Sequence, residues 1–457
     1  MKRQKKLLVL CLAFALLLGC YGAIKVLTAP KAVADSQQET YSLGIADSLT
    51  SLQWKYEDVS VNLSLTDSKW TSDDDSACPL DQMLVKKLAT QATGLYATKV
   101  ITDPESASAY GFDSDETVTL SFGKNNTSVT LTVGNTDPYG NSTYVMLNND
   151  LSKVYLVNSS SLTAFVCTLN DLVEKETLPA FTDVLSLELS GKTNASISFS
   201  DGGSTTCYTD LFEWFLQDGN KLLPLDPDAV DALLSDLTTL TWGDCVNYNA
   251  DAAALATYGL SNPSLSLQVL CNEGTTATTT TIHFGDYNSS ESAYYARLDG
   301  SKMVYLVSKT MYETLTAVSY DSLRTMDVLY LDWFNVREMD VTADGVTHTI
   351  TLVEVTNTDA TSSLMFDLDG TTVETKLGTA FLTSMSNMQA TEANKIADGN
   401  AVFTVSLRQY TLADRTVLTI SPSGDGYVVQ INGSGDLWIT AAQYKTITDA
   451  YAAMFAA

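Results

Sequence analysis

The sequence predicts an α+β fold: tandem repeated units, each a mostly antiparallel sheet with about two packed helices, following an N-terminal transmembrane helix. Three observations predict it. First, a series of landmarks occurs twice. Tyr110-Gly111-Phe112 precedes a strand-like run, a second run ending in Gly134, then Tyr144-Val145 and Val154-Tyr155-Leu156-Val157. Tyr258-Gly259-Leu260 opens the same series, through Gly285 and Tyr294-Tyr295 to Val304-Tyr305-Leu306-Val307. The offset is 148 residues at the first landmark and 150 at the last, the mark of a duplicated folding unit. Second, alternating apolar runs joined by hairpin-length connections outnumber helical patterns. Third, the only long uncharged apolar run lies at the N-terminus.

That run comes first in order. Lys2, Arg3, Lys5 and Lys6 form a basic head, Leu7 to Ile24 carries no charge, and Lys25 closes it. Eighteen residues make a helix of about 27 Å, near the roughly 30 Å of a bilayer core. Basic residues stay on the cytoplasmic side, so the remainder is expected to cross. Residues 1–29 are therefore read as a signal anchor and residues 30–40 as a tether. A second reading is open: Leu17-Leu18-Gly19-Cys20 looks like a lipobox, with Cys20 as the lipidated residue, and simple secretion is a third. All three readings place the later residues outside the cytoplasm.

The first unit, 41–180, is expected to start with strands at Val59–Leu65 and Lys69-Trp70. A helix follows Pro79, with Leu80, Met83, Leu84 and Leu88 on one face. A strand at Lys99–Ile101 and the Tyr110 series come next, turning at Asn125-Asn126 and Asn148-Asn149, and Ser159 to Leu172 closes as a helix. The second unit, 181–322, follows the same plan, with strands at Leu185–Leu189 and Ala195–Ser200, a helix behind Pro227, a strand at Trp242–Val246, the Tyr258 series and a closing helix at Thr310–Val318. A divergent third unit, 323–457, has strands at Val336–Val341 and Thr347–Val355, a helix at Val373–Met388, four further strands and a closing helix at Ala441–Phe455.

The order Trp70, Asp75, Pro79, helix, Val100-Ile101, Tyr110-Gly111-Phe112, a Gly-terminated strand, Tyr144-Val145 and Val154–Val157 resembles the bacterial family named domain of unknown function 4340. The second series, with Asn262-Pro263 after its Tyr-Gly-Leu corner, resembles it more closely. The likeness covers about residues 41–322; the third unit has no such corner. The resemblance implies a membrane-anchored protein facing outward, in some cases accessory to ABC-type transport components. It carries no catalytic residues over.

Composition narrows the function further. The formal charge is −28, which repels nucleic acid and anionic surfaces, so no nucleic-acid partner is expected. The expected partners are the bacterial membrane, through the N-terminal segment, and a protein or cell-envelope component. Cys78, Cys167, Cys207, Cys245 and Cys271 are odd in number and widely spaced, and read as buried thiols, not a disulfide framework.

No site of chemistry is assigned: catalytic, cofactor and metal residues are none. The two histidines, His283 and His348, lie far apart in strand patterns. Asp73-Asp74-Asp75 with Asp81 lacks a calcium-loop spacing and reads as a turn before a helix, and Asp367-x-Asp369-Gly370 reads as a hairpin turn. No nucleophile elbow, P-loop or dinucleotide fingerprint occurs. The recurring Tyr110, Tyr144, Tyr155, Tyr258, Tyr294, Tyr295 and Tyr305 suit packing better than a glycan-stacking surface. The expectation is a non-enzymatic extracytoplasmic binding or scaffold protein, against two alternatives: a carboxylate-dependent, glycan-directed envelope hydrolase, and a solute-binding surface lipoprotein.

Overall fold

The structure is a computed structural model that describes residues 39–455 except 114–117, 139, 202–206, 275 and 358. The apolar run Leu7–Ile24, the lipidation candidate Cys20 and most of the tether lie outside the described residues. Among those described, no helix is long and apolar enough to cross a membrane. The chain forms two compact bodies, one ending at Glu174 and one beginning at Lys175.

The first body is built on one antiparallel sheet. Its strands are β1 (Tyr41–Ser42), β2 (Ser51–Tyr56), β3 (Val59–Thr66), β4 (Lys69–Ser72), β5 (Tyr96–Ile101), β6 (Val118–Lys124), β7 (Thr127–Thr136), β8 (Ser142–Leu147) and β9 (Asp150–Asn158), in spatial order β4-β3-β2-β6-β7-β8-β9-β5-β1. Helix α1 (Gln82–Thr93) separates β4 from β5. It starts at Asp81, whose carboxylate accepts from the N–H groups of Met83 and Leu84. Asn125 and Asn126 both take positive φ, 49° and 65°, as a tight β6–β7 hairpin requires.

The second body holds two sheets. One contains β10 (Val184–Gly191), β11 (Ala195–Phe199), β12 (Trp214–Asp218), β13 (Lys221–Pro224), β14 (Cys245–Asn247), β15 (Leu265–Glu273), β16 (Thr276–Asn288), β17 (Ala293–Leu298) and β18 (Val304–Ser308), ordered β13-β12-β11-β10-β15-β16-β17-β18-β14. The other contains β19 (Val336–Ala343), β20 (Val346–Thr356), β21 (Ser362–Leu368), β22 (Thr371–Val373), β23 (Phe403–Gln409), β24 (Thr416–Ser423), β25 (Gly426–Ile431) and β26 (Ser434–Thr440), ordered β22-β21-β20-β19-β23-β24-β25-β26. The three orders share one core, a strand meander (three strands in the first sheet, four in the others), a crossover, then a second meander that pairs back on the first strand. The third sheet keeps this plan although its sequence lacks the Tyr-Gly-Leu corner. Each crossover carries a helix, α1 in the first sheet, Pro227–Thr238 in the second and Thr375–Ser386 in the third.

The corner has a steric reason. Gly111 and Gly259 take φ of +79° and +70°, which L side chains rarely adopt. At the matched strand ends, Gly134 lies against the carbonyl oxygen of Tyr110 and Gly285 against that of Tyr258, so that a Cβ would overlap either one. The ring of Tyr110 then meets Tyr144 at 5.0 Å, and Tyr258 meets Tyr295 at 4.7 Å. Tyr294 stacks on Tyr312 at 3.7 Å and Tyr305 on Trp242 at 4.5 Å. These recurring tyrosines pack.

One predicted element is different. Ser159 to Leu172 is not a continuous helix: a single turn at Ser159–Leu162 gives way to 3-10 turns at Thr163–Phe165 and Leu169–Leu172. Between them the chain leaves the helix because the carbonyls of Val166 and Cys167 accept from side chains, the Tyr56 hydroxyl at 3.2 Å and the Trp54 indole at 2.7 Å. The Ala252–Thr257 helix and the strands β1, β2, β12, β13, β21 and β22 are additions to the predicted set, while the β21–β22 turn falls at the expected Asp367-x-Asp369-Gly370.

Candidate functional site

Two places in the second body bring polar groups together. The first is a cavity of about 300 Å³. Its walls come from the edge strand β13, from the Tyr320–Val328 segment and from the β25–β26 hairpin, so two sheets of one strand order enclose it. The neighbouring Cys207–Phe212 loop joins them: Gln409 Nε2 donates to the carbonyl of Tyr208 at 2.7 Å, and Tyr208 packs against the core of the third sheet. Leu225 N–H donates to Trp214 O at 3.0 Å. By the two-residue alternation of an antiparallel ladder, Leu223 then also faces β12, and the backbone groups of Leu222 face away from the sheet.

Arg324 dominates the lining. Its side chain is 3 % exposed. It donates to Asp321 at 3.2 Å, to Asn394 Oδ1 at 3.5 Å and to the carbonyl of Gly435, and its guanidinium lies 4.9 Å from the centre of the Tyr320 ring. Its Nε has no hydrogen-bond partner. Burial pushes the hydroxyl of Tyr320 up, Arg324 opposing it, and burial also raises Tyr208 and the Cys207 thiol. These three side chains of the lining are thus poorly solvated.

The second place is the solvent-facing side of the middle sheet. β15 and β16 pair so that Ser266 stands opposite His283. Ser266 Oγ and His283 Nδ1 are 2.8 Å apart, and His283 Nε2 lies 3.1 Å from Asp299 Oδ1. This hydrogen bond from His283 holds the Asp299 carboxyl below the usual range. A Ser–His–Asp chain thus exists where sequence reasoning assigned none. The signal was present: a tight turn at Gly274 forces residues equidistant from it to face each other, and Asp299 opens the turn before Gly300.

The other two sheets provide an internal comparison. Asn148, Asp299 and Asn432 are equivalent, each donating its N–H back across the hairpin, to Thr130, Thr281 and Val417. By the same registers, Ser266 and His283 correspond to Thr119 and Thr132 in the first sheet and to Thr404 and Thr419 in the third. The other two sheets therefore form without a Ser–His–Asp chain at these positions. The backbone of β15 supplies no oxyanion hole beside it. β15 is hydrogen-bonded on both sides, to β10 and β16, so its N–H groups are spent in ladders. Asp299 is also 70 % exposed, and water screens its charge.

The remaining candidates are structural. His348 sits in β20, its Nδ1 paired with Asp369 at the hairpin turn, where Gly370 N–H donates to Asp367 at 2.6 Å. Asp73 and Asp74 accept from Ser64 and Asn62, and Asp81 caps α1. Among the described residues, no group of three or more His, Cys, Asp or Glu is placed to hold a metal ion. Among the described residues no disulfide joins the five cysteines; burial, then the nearby charge of Asp171, pushes Cys167 up to about 11.

The family described as Domain of unknown function (DUF4340) matches residues 70–207 and 214–428, most of the chain. The chain belongs to this family. The second match runs from β12 into β25, so it takes in most of the third sheet as well as the second, further than the Tyr-Gly-Leu corners extend. No curated protein and no solved structure matches the chain.

Proposed function

We propose that this DUF4340 protein is a non-enzymatic binding and scaffold protein of the bacterial envelope, held in the membrane by residues 1–29 with the later residues outside, and accessory to an ABC-type transport complex. One observation carries the reading: three sheets of one strand order occur in series, and where two share a body they enclose a cavity. Repeated sheets offer broad faces and terminal strands that pair on one side only, the surfaces on which extended chains add as a further strand. The basic head and the uncharged run Leu7–Ile24 support the anchor.

The test is topological. In spheroplasts expressing the full chain with a C-terminal tag, external protease is expected to remove the tag, and carbonate is expected to leave the protein in the membrane fraction. Replacing Leu16 and Leu17 by Arg should release it. A tag protected until lysis would reject the reading. Palmitate labelling that disappears in Cys20→Ala would replace the anchor by a lipid.

The Ser266–His283–Asp299 chain favours a second reading, an envelope hydrolase acting through Ser266. A fluorophosphonate probe separates the two. The scaffold reading expects labelling of the full chain to equal that of Ser266→Ala, whereas labelling lost in both Ser266→Ala and His283→Ala would establish the hydrolase.

A further inference from the structure

We propose that the cavity between the second and third sheets binds a small carboxylate carrying an apolar body, with Arg324 receiving the carboxylate. This goes beyond the scaffold reading and requires neither the anchor nor a transport partner.

The argument starts from an unusual arginine. A side chain 3 % exposed must have its charge and donors met, or burial is costly. A guanidinium has five N–H donors. Asp321, Asn394 and the carbonyl of Gly435 take some of them, while Nε takes no partner. The one carboxylate at hand is that of Asp321, which is 58 % exposed and shares its charge with water. Arg324 is thus under-compensated on the wall of a cavity.

The other charged groups of the lining are Lys221 and Asp327, and Asp327 is already engaged by Gln389 at 3.0 Å. With Asp321 beside Arg324, two cations face two carboxylates here, in a chain of net charge −28. An anion is repelled by most of this surface and less so here, where Arg324 and Lys221 offset the carboxylates. A carboxylate suits a planar guanidinium best, because two oxygens match two parallel N–H groups. The rest of the wall selects the body of the ligand: Leu222, Pro224, Val328, Ile431 and Leu437 offer apolar contact. A volume of about 300 Å³ lies at the small end of ligand cavities, roughly 300–1,000 Å³, and suits a short acid, not a polymer.

Hexanoate, hexylamine and hexanol, titrated calorimetrically into the purified full-length chain, test this. Hexanoate is expected to bind at least tenfold more tightly than hexanol, and hexylamine is expected not to bind. Arg324→Gln should lose at least tenfold in hexanoate affinity, with Arg324→Lys between the two. Because Arg324 also braces the Tyr320–Leu323 turn, a second variant is needed. Ser434→Trp fills the cavity from its wall without removing a buried charge, and should abolish hexanoate binding with the unfolding midpoint unchanged. Equal affinity for hexanoate and hexanol, undiminished binding by a folded Ser434→Trp, or no binding by any probe would overturn the proposal.

Discussion

Gly285→Ala is expected to destabilise the second body by about 3 kcal/mol, and Gly134→Ala the first by a similar amount. The added methyl group has no room. At Gly285 it overlaps the carbonyl oxygen of Tyr258 and comes within 3.0 Å of Leu260 Cγ. The oxygen cannot simply retreat, because Asp286 N–H donates to it at 2.9 Å. Moving Tyr258 would weaken that bond and lift its ring from Tyr295. Overpacking of a tight site costs roughly 1–3 kcal/mol and a lost hydrogen bond about 1 more. At Gly134 the obstacles are Tyr110 O and the Phe112 ring, with Cε1 at 2.8 Å. Gly399 is the control: nothing lies near its Cβ position and its φ is not positive, so Gly399→Ala should be neutral or slightly stabilising. Denaturant melts of the three variants, followed by circular dichroism, check this. Equal stability of Gly285→Ala and Gly399→Ala would mean that the corner is loose and that the repeated Tyr-Gly landmark has no packing cause.

The corner also shows what the sequence made legible. Strands with clean alternation, such as Val59–Thr66 and Val336–Ala343, and helices with a Pro or Asp start, such as Pro227–Thr238, could be read directly, because one face is buried and local chemistry marks the ends. The strands β21 and β22 were hidden, since Ser362-Ser363-Leu364-Met365 has no strong period, although Asp367-x-Asp369-Gly370 marked the turn between them. The broken helix after Ser159 was hidden for another reason: the groups that take its carbonyls, Trp54 and Tyr56, are more than 100 residues away. Both candidate sites have the same difficulty. His283 was read as an ordinary strand residue, and its neighbours Ser266 and Asp299 become visible only once the register is fixed. Arg324 had no signal at all. Its exceptional burial follows from two sheets meeting, which no local pattern records.

Trp54→Ala is expected to cost the first body about 4–5 kcal/mol, the largest single effect of any substitution considered. Trp54 lies in the middle of β2, between β3 and β6, and is 1 % exposed. Its ring meets Phe165 edge-on at 6.3 Å, and Phe165 in turn meets Phe122 at 5.2 Å. Removing the indole leaves a cavity under the central strands, and truncation of a buried aromatic to alanine costs about 3–5 kcal/mol. It also leaves the Cys167 carbonyl without its 2.7 Å donor, for roughly another 1 kcal/mol if water cannot reach it. Trp54→Phe separates the two contributions, since it keeps much of the volume and removes only the N–H. It should cost less than half as much and should raise amide exchange in the segment Thr163–Leu172, whose path depends on that bond. Trp54→Ala should accelerate exchange in β2, β3 and β6 as well. If both variants unfold at the wild-type denaturant midpoint, the indole does not organise the turn after β9, and the break in the predicted closing helix needs a different cause.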